Sequence, residues 1–166
     1  VPEVVLEHPE VVSQLHREFI RAGTDIVQAF TYYGHREKLR LIGKEDLLEP
    51  LQKNALQIAK DARDEFKDLD LLVCGDVANT NIYNPDDKKS HIECQKMYEE
   101  QVGWAKEAGV DFIVAETINW TEEMKIALKA IKDAGMIAVT NFSIKKGDKT
   151  REAVSYTHLR AHETYR

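Results

Sequence analysis

Ala108-Gly-Val-Asp-Phe-Ile-Val-Ala-Glu116 is the stretch on which the fold turns. A helical pattern stops at Ala108-Gly109, an apolar run starts at Phe112, and the run ends on a carboxylate. Glycine fits the left-handed residue that closes a helix. A short, wholly apolar run after it reads as a strand buried on both faces, as in a parallel sheet under helices. The same join recurs at Ala22-Gly23, before Ile26-Val-Gln-Ala-Phe-Thr31, and at Ala134-Gly135, before Met136-Ile-Ala-Val139. Recurring helix-to-strand joints of one composition are expected of stacked βα units.

Working outward, Val12, Leu15, Phe19 and Ala22 recur at helical spacing and predict a helix over 9–22, opened by Pro9. Leu48, Leu51, Ala55, Ile58, Ala62 and Phe66 form one stripe of a second helix over 45–66. Leu71-Leu-Val-Cys74 is the next strand, and a polar loop follows it through Pro85. Ser90-His-Ile-Glu93 matches a capping box and predicts the start of a helix that runs to Ala108. Residues 121–134 form the last helix, with Met124, Ala127, Leu128 and Ile131 inward. The order is αβαβαβαβ.

Two architectures accommodate this order: a doubly wound open sheet and part of a (β/α)8 barrel. The polar residues favour the barrel. Tyr32 and Tyr33, Asp76 and Asn79, Glu116 and Asn119, and Thr140 and Asn141 each follow a strand. Polar groups at the C-terminal ends of several parallel strands are where a barrel builds its site. The expected fold class is therefore α/β, a partial (β/α)8 TIM barrel of about four βα units.

Composition sets the outer bounds. With 166 residues the chain is one domain or part of a larger one, and 43% apolar with 31% charged residues is a globular balance. A net charge of −6 argues against a general nucleic-acid binder. No apolar run approaches the roughly 20 residues of a membrane span. Two cysteines, Cys74 and Cys94, form no Cys-x-x-Cys motif and suit a reducing, cytoplasmic location.

Phosphate-cradling Gly-x-Gly-x-x-Gly and P-loop motifs are absent, as is a Gly-x-Ser-x-Gly elbow. Glu116, at a strand mouth, suits binding an amine or abstracting a proton, and equally suits a solvated loop acid. Phe30, Tyr32 and Tyr33 suit a quaternary ammonium through cation–π attraction, or plain core filling. Asp76, with Asn79 and Asn81, suits substrate binding or satisfaction of loop backbone. Cys74 reads as a small core residue, and His8, His16, His35 and His91 as scattered, solvated side chains. His158 and His162 share helical spacing but lack further ligands, so they are rejected as a metal site.

Glu7-His-Pro-Glu10, Gln14-Leu-His-Arg-Glu-Phe19, Arg21-Ala-Gly23, Val27-Gln-Ala-Phe-Thr-Tyr-Tyr33 and Val110-Asp-Phe-Ile-Val-Ala-Glu116 together resemble the homocysteine S-methyltransferase family, its betaine-using branch above all. The resemblance spans roughly residues 2–152 and preserves element order. It implies a zinc-dependent barrel enzyme that moves a methyl group from a small donor, betaine in this branch, onto homocysteine sulfur to give methionine. Zinc would hold that sulfur as thiolate. By the same resemblance Glu116 holds the homocysteine amino end and Tyr33 lies against the donor. Tyr32, Asp76 and Asn119 complete the expected substrate-binding set. Thr117 stands where betaine-using members often carry an aromatic side chain.

The family's zinc-holding cysteines belong to later Gly-x-Asn-Cys and Gly-Gly-Cys-Cys stretches, and neither Cys74 nor Cys94 matches them. The family's first strand would precede Val1. Residues 1–152 are accordingly expected to be a partial homocysteine-binding barrel domain. Residues 153–166 are expected to be a non-native, disordered tail, since Val154-Ser-Tyr-Thr-His-Leu-Arg-Ala-His-Glu-Thr resembles translated adapter sequence. The chain alone is expected to be inactive and prone to self-association through open strand edges. A homo-oligomeric parent stays open. The rival expectation is a complete flavodoxin-like binding module without catalysis; another barrel enzyme, such as an aldolase with Glu116 as base, is a third.

Overall fold

The computed structural model describes residues 3–32, 34–144 and 149–155. Elements follow in the order α1 Val4–Glu7, α2 Pro9–Arg21, β1 Ile26–Gln28, α3 Arg36–Arg40, α4 Leu48–Asp64, β2 Leu72–Ala78, α5 Lys88–Ala108, β3 Phe112–Ile118, α6 Thr121–Asp133 and β4 Ala138–Phe142. A 3-10 turn, Glu45–Leu47, leads into α4.

All four strands are parallel and lie in sequence order, β1-β2-β3-β4. This decides between the two architectures. Parallel crossovers are right-handed, so sequential order sends every helix to the same face, which is how a barrel is wound. A doubly wound sheet needs its strand order to reverse. The flavodoxin-like alternative is therefore overturned, and the fold is a four-unit part of a (β/α)8 barrel.

The two faces of the sheet differ accordingly. Val27, Val73, Val77, Ile113 and Ala115 point to one side and are buried with Leu56, Ala59 and Ala62 of α4, Val102 and Ala105 of α5, and Ala127, Ala130 and Ile131 of α6. A second cluster seals α1, α2 and α4 through Val5, Val12, Leu51, Ala55 and Ile58. Gly75 is needed here: a Cβ on it would lie 3.1 Å from the Ala105 Cβ, so α5 packs directly on β2. Across the sheet, Ile26, Leu72 and Val139 sit on the other face and are exposed.

Several expected boundaries move. β1 stops at Gln28 rather than Thr31, because the Thr31 hydroxyl takes over the pairing, donating to the Asp76 carbonyl at 2.9 Å and accepting the Asp76 N–H at 3.2 Å. β2 runs on to Ala78, so Asp76 lies in a strand and not in a loop. β4 starts two positions later than expected. The capping box does not form. Helix α5 begins at Lys88 with Asp87 accepting the Lys89 N–H, and Ser90 instead bonds the Asn84 and Asp87 carbonyls. At the far end Gly109, at φ 73°, closes α5 as expected.

Helix α2 forms as read but is rotated. Val12, His16 and Ile20 are buried, whereas Leu15 and Phe19 are 44% and 60% exposed beside the unpaired edge of β1. Short α1 and α3 carry too few apolar positions for their periodicity to be visible. His16 and His35, expected to be solvated, are buried.

Candidate functional site

The C-terminal ends of β1, β2 and β3 bring the expected polar residues together. Register fixes which face each occupies. Gln28 pairs with Cys74, Asp76 with Val114, and Glu116 with Ala78, so Gln28, Asp76 and Glu116 all lie on the open face. The Gln28 amide bridges the two acids, donating to Asp76 Oδ2 at 3.0 Å and to Glu116 Oε1 at 3.3 Å.

Asp76 is the unusual member. It is 3% exposed, and its Oδ1 is buried without a hydrogen-bond partner. Burial, reinforced by the Glu116 charge, pushes its carboxyl up to about 8, against the opposing pull of the Gln28 amide. A cavity of about 410 Å³ opens beside it, with Gln28 and Tyr32 as polar lining and Leu15, Phe19, Ile26 and Phe30 as apolar wall. The chemistry on offer is a cation-seeking carboxylate pair at one end of an apolar cleft.

An irregularity follows Glu116 directly. Thr117 has φ 56°, a left-handed conformation that β-branched residues rarely adopt, and the β3–β4 register breaks between Glu116 and Ile118. The strained residue is held from two sides. Tyr32 Oη donates to Thr117 Oγ1 at 2.9 Å, and Thr117 Oγ1 donates to the Glu116 carbonyl at 2.7 Å. Bulges of this kind are frequent beside functional sites, and this one sits directly after the Glu116 carboxylate.

Asn119 goes elsewhere. It lines a separate polar cavity of about 160 Å³ with Asn79, Asn81, Trp120 and Arg151, the Arg151 guanidinium lying 5.4 Å from the Trp120 ring centre. Glu152 closes this region by accepting the Thr121 and Glu122 N–H groups at 2.7 and 3.1 Å. Burial alone would raise the Glu152 carboxyl, but these N–H groups outweigh it and hold the carboxyl below its usual range. Tyr33, His158 and His162 lie outside the described residues.

Sequence reading missed Gln28 as the bridge and Glu123 as a buried anchor. Glu123 is 2% exposed and accepts the Thr80 N–H at 2.8 Å, the Thr80 hydroxyl at 2.7 Å and the Tyr98 hydroxyl at 3.2 Å. It pins the loop after β2 to the first turn of α6. The acid pair Glu122-Glu123 looks like any solvated helix start, so only its place in α6 could have hinted at this.

A zinc ion does not fit these residues. Cys74 and Cys94 are both buried, and burial pushes their thiols up to about 12 and about 11. Cys94 Sγ lies 3.1 Å from the Thr80 hydroxyl. Among the described residues, no three His, Cys, Asp or Glu side chains gather as a metal would need.

The profile of the homocysteine S-methyltransferase family matches residues 2–162. Betaine–homocysteine S-methyltransferase 1 of Mus musculus is 36% identical over 152 residues, which cover 89% of this chain and 36% of that protein. The Sus scrofa protein of the same name is also 36% identical, with 53% of its length covered. The chain thus spans about a third to a half of these curated relatives. Among solved structures, the oxidised form of the homocysteine methyltransferase MmuM from Escherichia coli superposes with a TM-score of 0.80 at 20% identity, covering 96% of this chain and 59% of that one. Its metallated form superposes equally well. At that identity the likeness is one of fold.

Proposed function

Because the chain belongs to the homocysteine S-methyltransferase family, we propose that it supplies the homocysteine-binding part of an enzyme that transfers a methyl group, from betaine, to homocysteine. The observation that carries this reading is the Gln28-bridged pair of Asp76 and Glu116 at the mouth of the sheet, beside an apolar cleft. Homocysteine presents an ammonium group, a carboxylate and a short aliphatic thiol. A carboxylate pair answers the first, and apolar walls answer the last.

In this reading Glu116 holds the ammonium group and the bulge at Thr117 aims it. Phe30 and Tyr32, with Tyr33 beside them in sequence, offer aromatic faces to the cationic nitrogen of betaine. The reaction forms an S–CH3 bond and breaks an N–CH3 bond, with the electron pair leaving on the betaine nitrogen as dimethylglycine. The homocysteine thiol gives up its proton first. Residues 3–155 contribute binding and orientation. The family's zinc, which would activate the thiol, calls for ligands that the described residues do not form. We place the parent protein in the cytoplasm, in keeping with two unpaired, buried cysteines.

The test is binding of L-homocysteine to the 166-residue chain. Glu116→Gln is expected to weaken it by at least about tenfold, since a charge-assisted contact is lost. Equal affinity in the variant sinks the assignment of Glu116. Methionine formation from betaine and homocysteine by this chain alone is expected to be absent, and steady turnover overturns that expectation.

A further inference from the structure

The acid pair carries more than an ammonium contact. Buried carboxylates ordinarily satisfy both oxygens, and one that does not points to a partner still to come. Asp76 Oδ1 is such an oxygen: fully enclosed, without a donor, on a residue that lines the cleft. The like-charged Glu116 shares a single bridging amide with it. A carboxyl so buried beside a like charge keeps its proton until a cation arrives.

We propose that Asp76 is a proton-linked half of an ammonium grip: a primary ammonium group docks against Asp76 and Glu116 together, and Asp76 gives its proton to solvent as it does so. This rests on the reading of the cleft as an amino-acid site. The balance is one carboxylic acid plus one ammonium ion going to one carboxylate–ammonium pair plus one released proton. Selectivity follows. A primary amine supplies the several N–H donors that Oδ1, Oδ2 and Glu116 call for, whereas a trimethylated nitrogen supplies none, so the grip sorts the amino acid from a quaternary methyl donor.

The groups facing Asp76 support this assignment. From β3 there is Glu116. From β2 itself there is Cys74, whose thiol is pushed up to about 12 and stays neutral. From α2 comes His16, which lines the same cleft and whose burial lowers it from its ordinary value, keeping it uncharged above neutral pH. The Thr31 hydroxyl is spent on the Asp76 backbone, and the Tyr32 hydroxyl is engaged on Thr117. Asp76 is left as the group that can release the proton, in line with its raised carboxyl.

L-methionine is the probe, because it carries the ammonium group without a thiol that would titrate. Calorimetric titration of the full chain, in buffers of different ionisation enthalpy, is expected to release about one proton per methionine bound at pH 7, with affinity rising about tenfold from pH 6 to pH 7. Asp76→Asn is expected to release none and to bind with no pH dependence over that range. N-acetyl-L-methionine, lacking the cation, is expected to bind neither form. In the free chain, the carbon-13 resonance of the Asp76 carboxyl is expected to titrate near pH 8, which needs no variant to fold; a midpoint near 4 overturns the proposal. Methionine binding without proton release, or equal release by Asp76→Asn, overturns the proton-linked grip and leaves the amino-acid site standing. Failure of both L-methionine and L-homocysteine to bind overturns the two together.

Discussion

The two faces of the sheet are made from alternate residues of the same short strands, yet they obey different rules. On the helix side, Val27, Val73, Val77, Ile113 and Ala115 are all buried and all apolar. On the open side, exposed Ile26, Leu72 and Val139 lie alongside Gln28, Asp76 and Glu116. One face holds the chain together and the other offers chemistry. The difference teaches that stability and the candidate site are separable here by a single step along a strand.

The hardest test of that separation sets Ile113→Ala against Val139→Ala. Ile113 is wholly buried under α6, and its truncation is expected to cost about 4 kcal/mol in urea unfolding. Val139 is 47% exposed on the open face, and its truncation is expected to cost under about 1 kcal/mol. Similar costs at the two positions break the comparison and mean that the open face is covered in solution, as self-association through the edges of β1 and β4, unpaired among the described residues, would do.

Glu123 probes the same divide from the polar side. Its removal as Glu123→Ala leaves Thr80 and Tyr98 with buried, unpaired donors, at an expected cost of about 3 kcal/mol. Glu123→Gln keeps an acceptor and is expected to lose less than half of that. Equal losses in the two variants indicate that the charge, not the acceptor, holds the loop after β2.

How much of this was legible follows from which face a residue serves. The runs Ile26-Val27 and Phe112-Ile-Val-Ala115 are apolar on both faces of the sheet, and such runs read as strands directly. The polar open-face residues Gln28, Asp76 and Glu116 break that pattern. A carboxylate inside a buried strand contradicts the rule that reveals the others, so Asp76 reads as a loop residue, although its place among the strand-end polar groups is visible. Glu116 and Asp76 were both singled out, but their link through Gln28 depends on register across three strands, which no local spacing reports. Histidine carries no burial signal of its own, so nothing local marks His16 and His35 as buried. Leu15 and Phe19 are spaced as helically as Val12, His16 and Ile20, so spacing alone does not choose the buried face of α2; the strand edge they overhang is a tertiary fact.

His35 sharpens the comparison through pH. It is buried at the start of α3, and burial, aided by Lys38, lowers its imidazole to about 4. The unfolded chain therefore binds a proton that the folded chain refuses between about pH 6.5 and 4, so stability from this residue is present above that window and falls as pH falls through it. Asp76 works in the opposite sense: its folded carboxyl is raised to about 8, so its contribution falls as pH rises from about 4 to 8. Between about pH 4 and 6.5 the two slopes oppose and cancel, and from about 6.5 to 8 the Asp76 loss alone lowers stability. His35→Gln is expected to remove an acid-side loss of about 3 kcal/mol and leave the alkaline side alone. Unchanged acid sensitivity in that variant shifts the cause to the carboxylates that pair with surface lysines and arginines.

The smallest expected effect lies where the two faces meet, at Thr117. Its left-handed backbone costs stability that glycine would not spend, so Thr117→Gly is expected to stabilise the chain by about 1 kcal/mol in urea unfolding. The same change frees the bulge that aims Glu116 and removes the hydroxyl that ties Tyr32 to it. Homocysteine binding is therefore expected to weaken while stability rises. That opposition is what a strained residue kept for its site predicts, and it is not what a residue kept for packing predicts. If stability falls as well, the two hydrogen bonds through the Thr117 hydroxyl outweigh the strain, and the bulge belongs to the scaffold and not to the site.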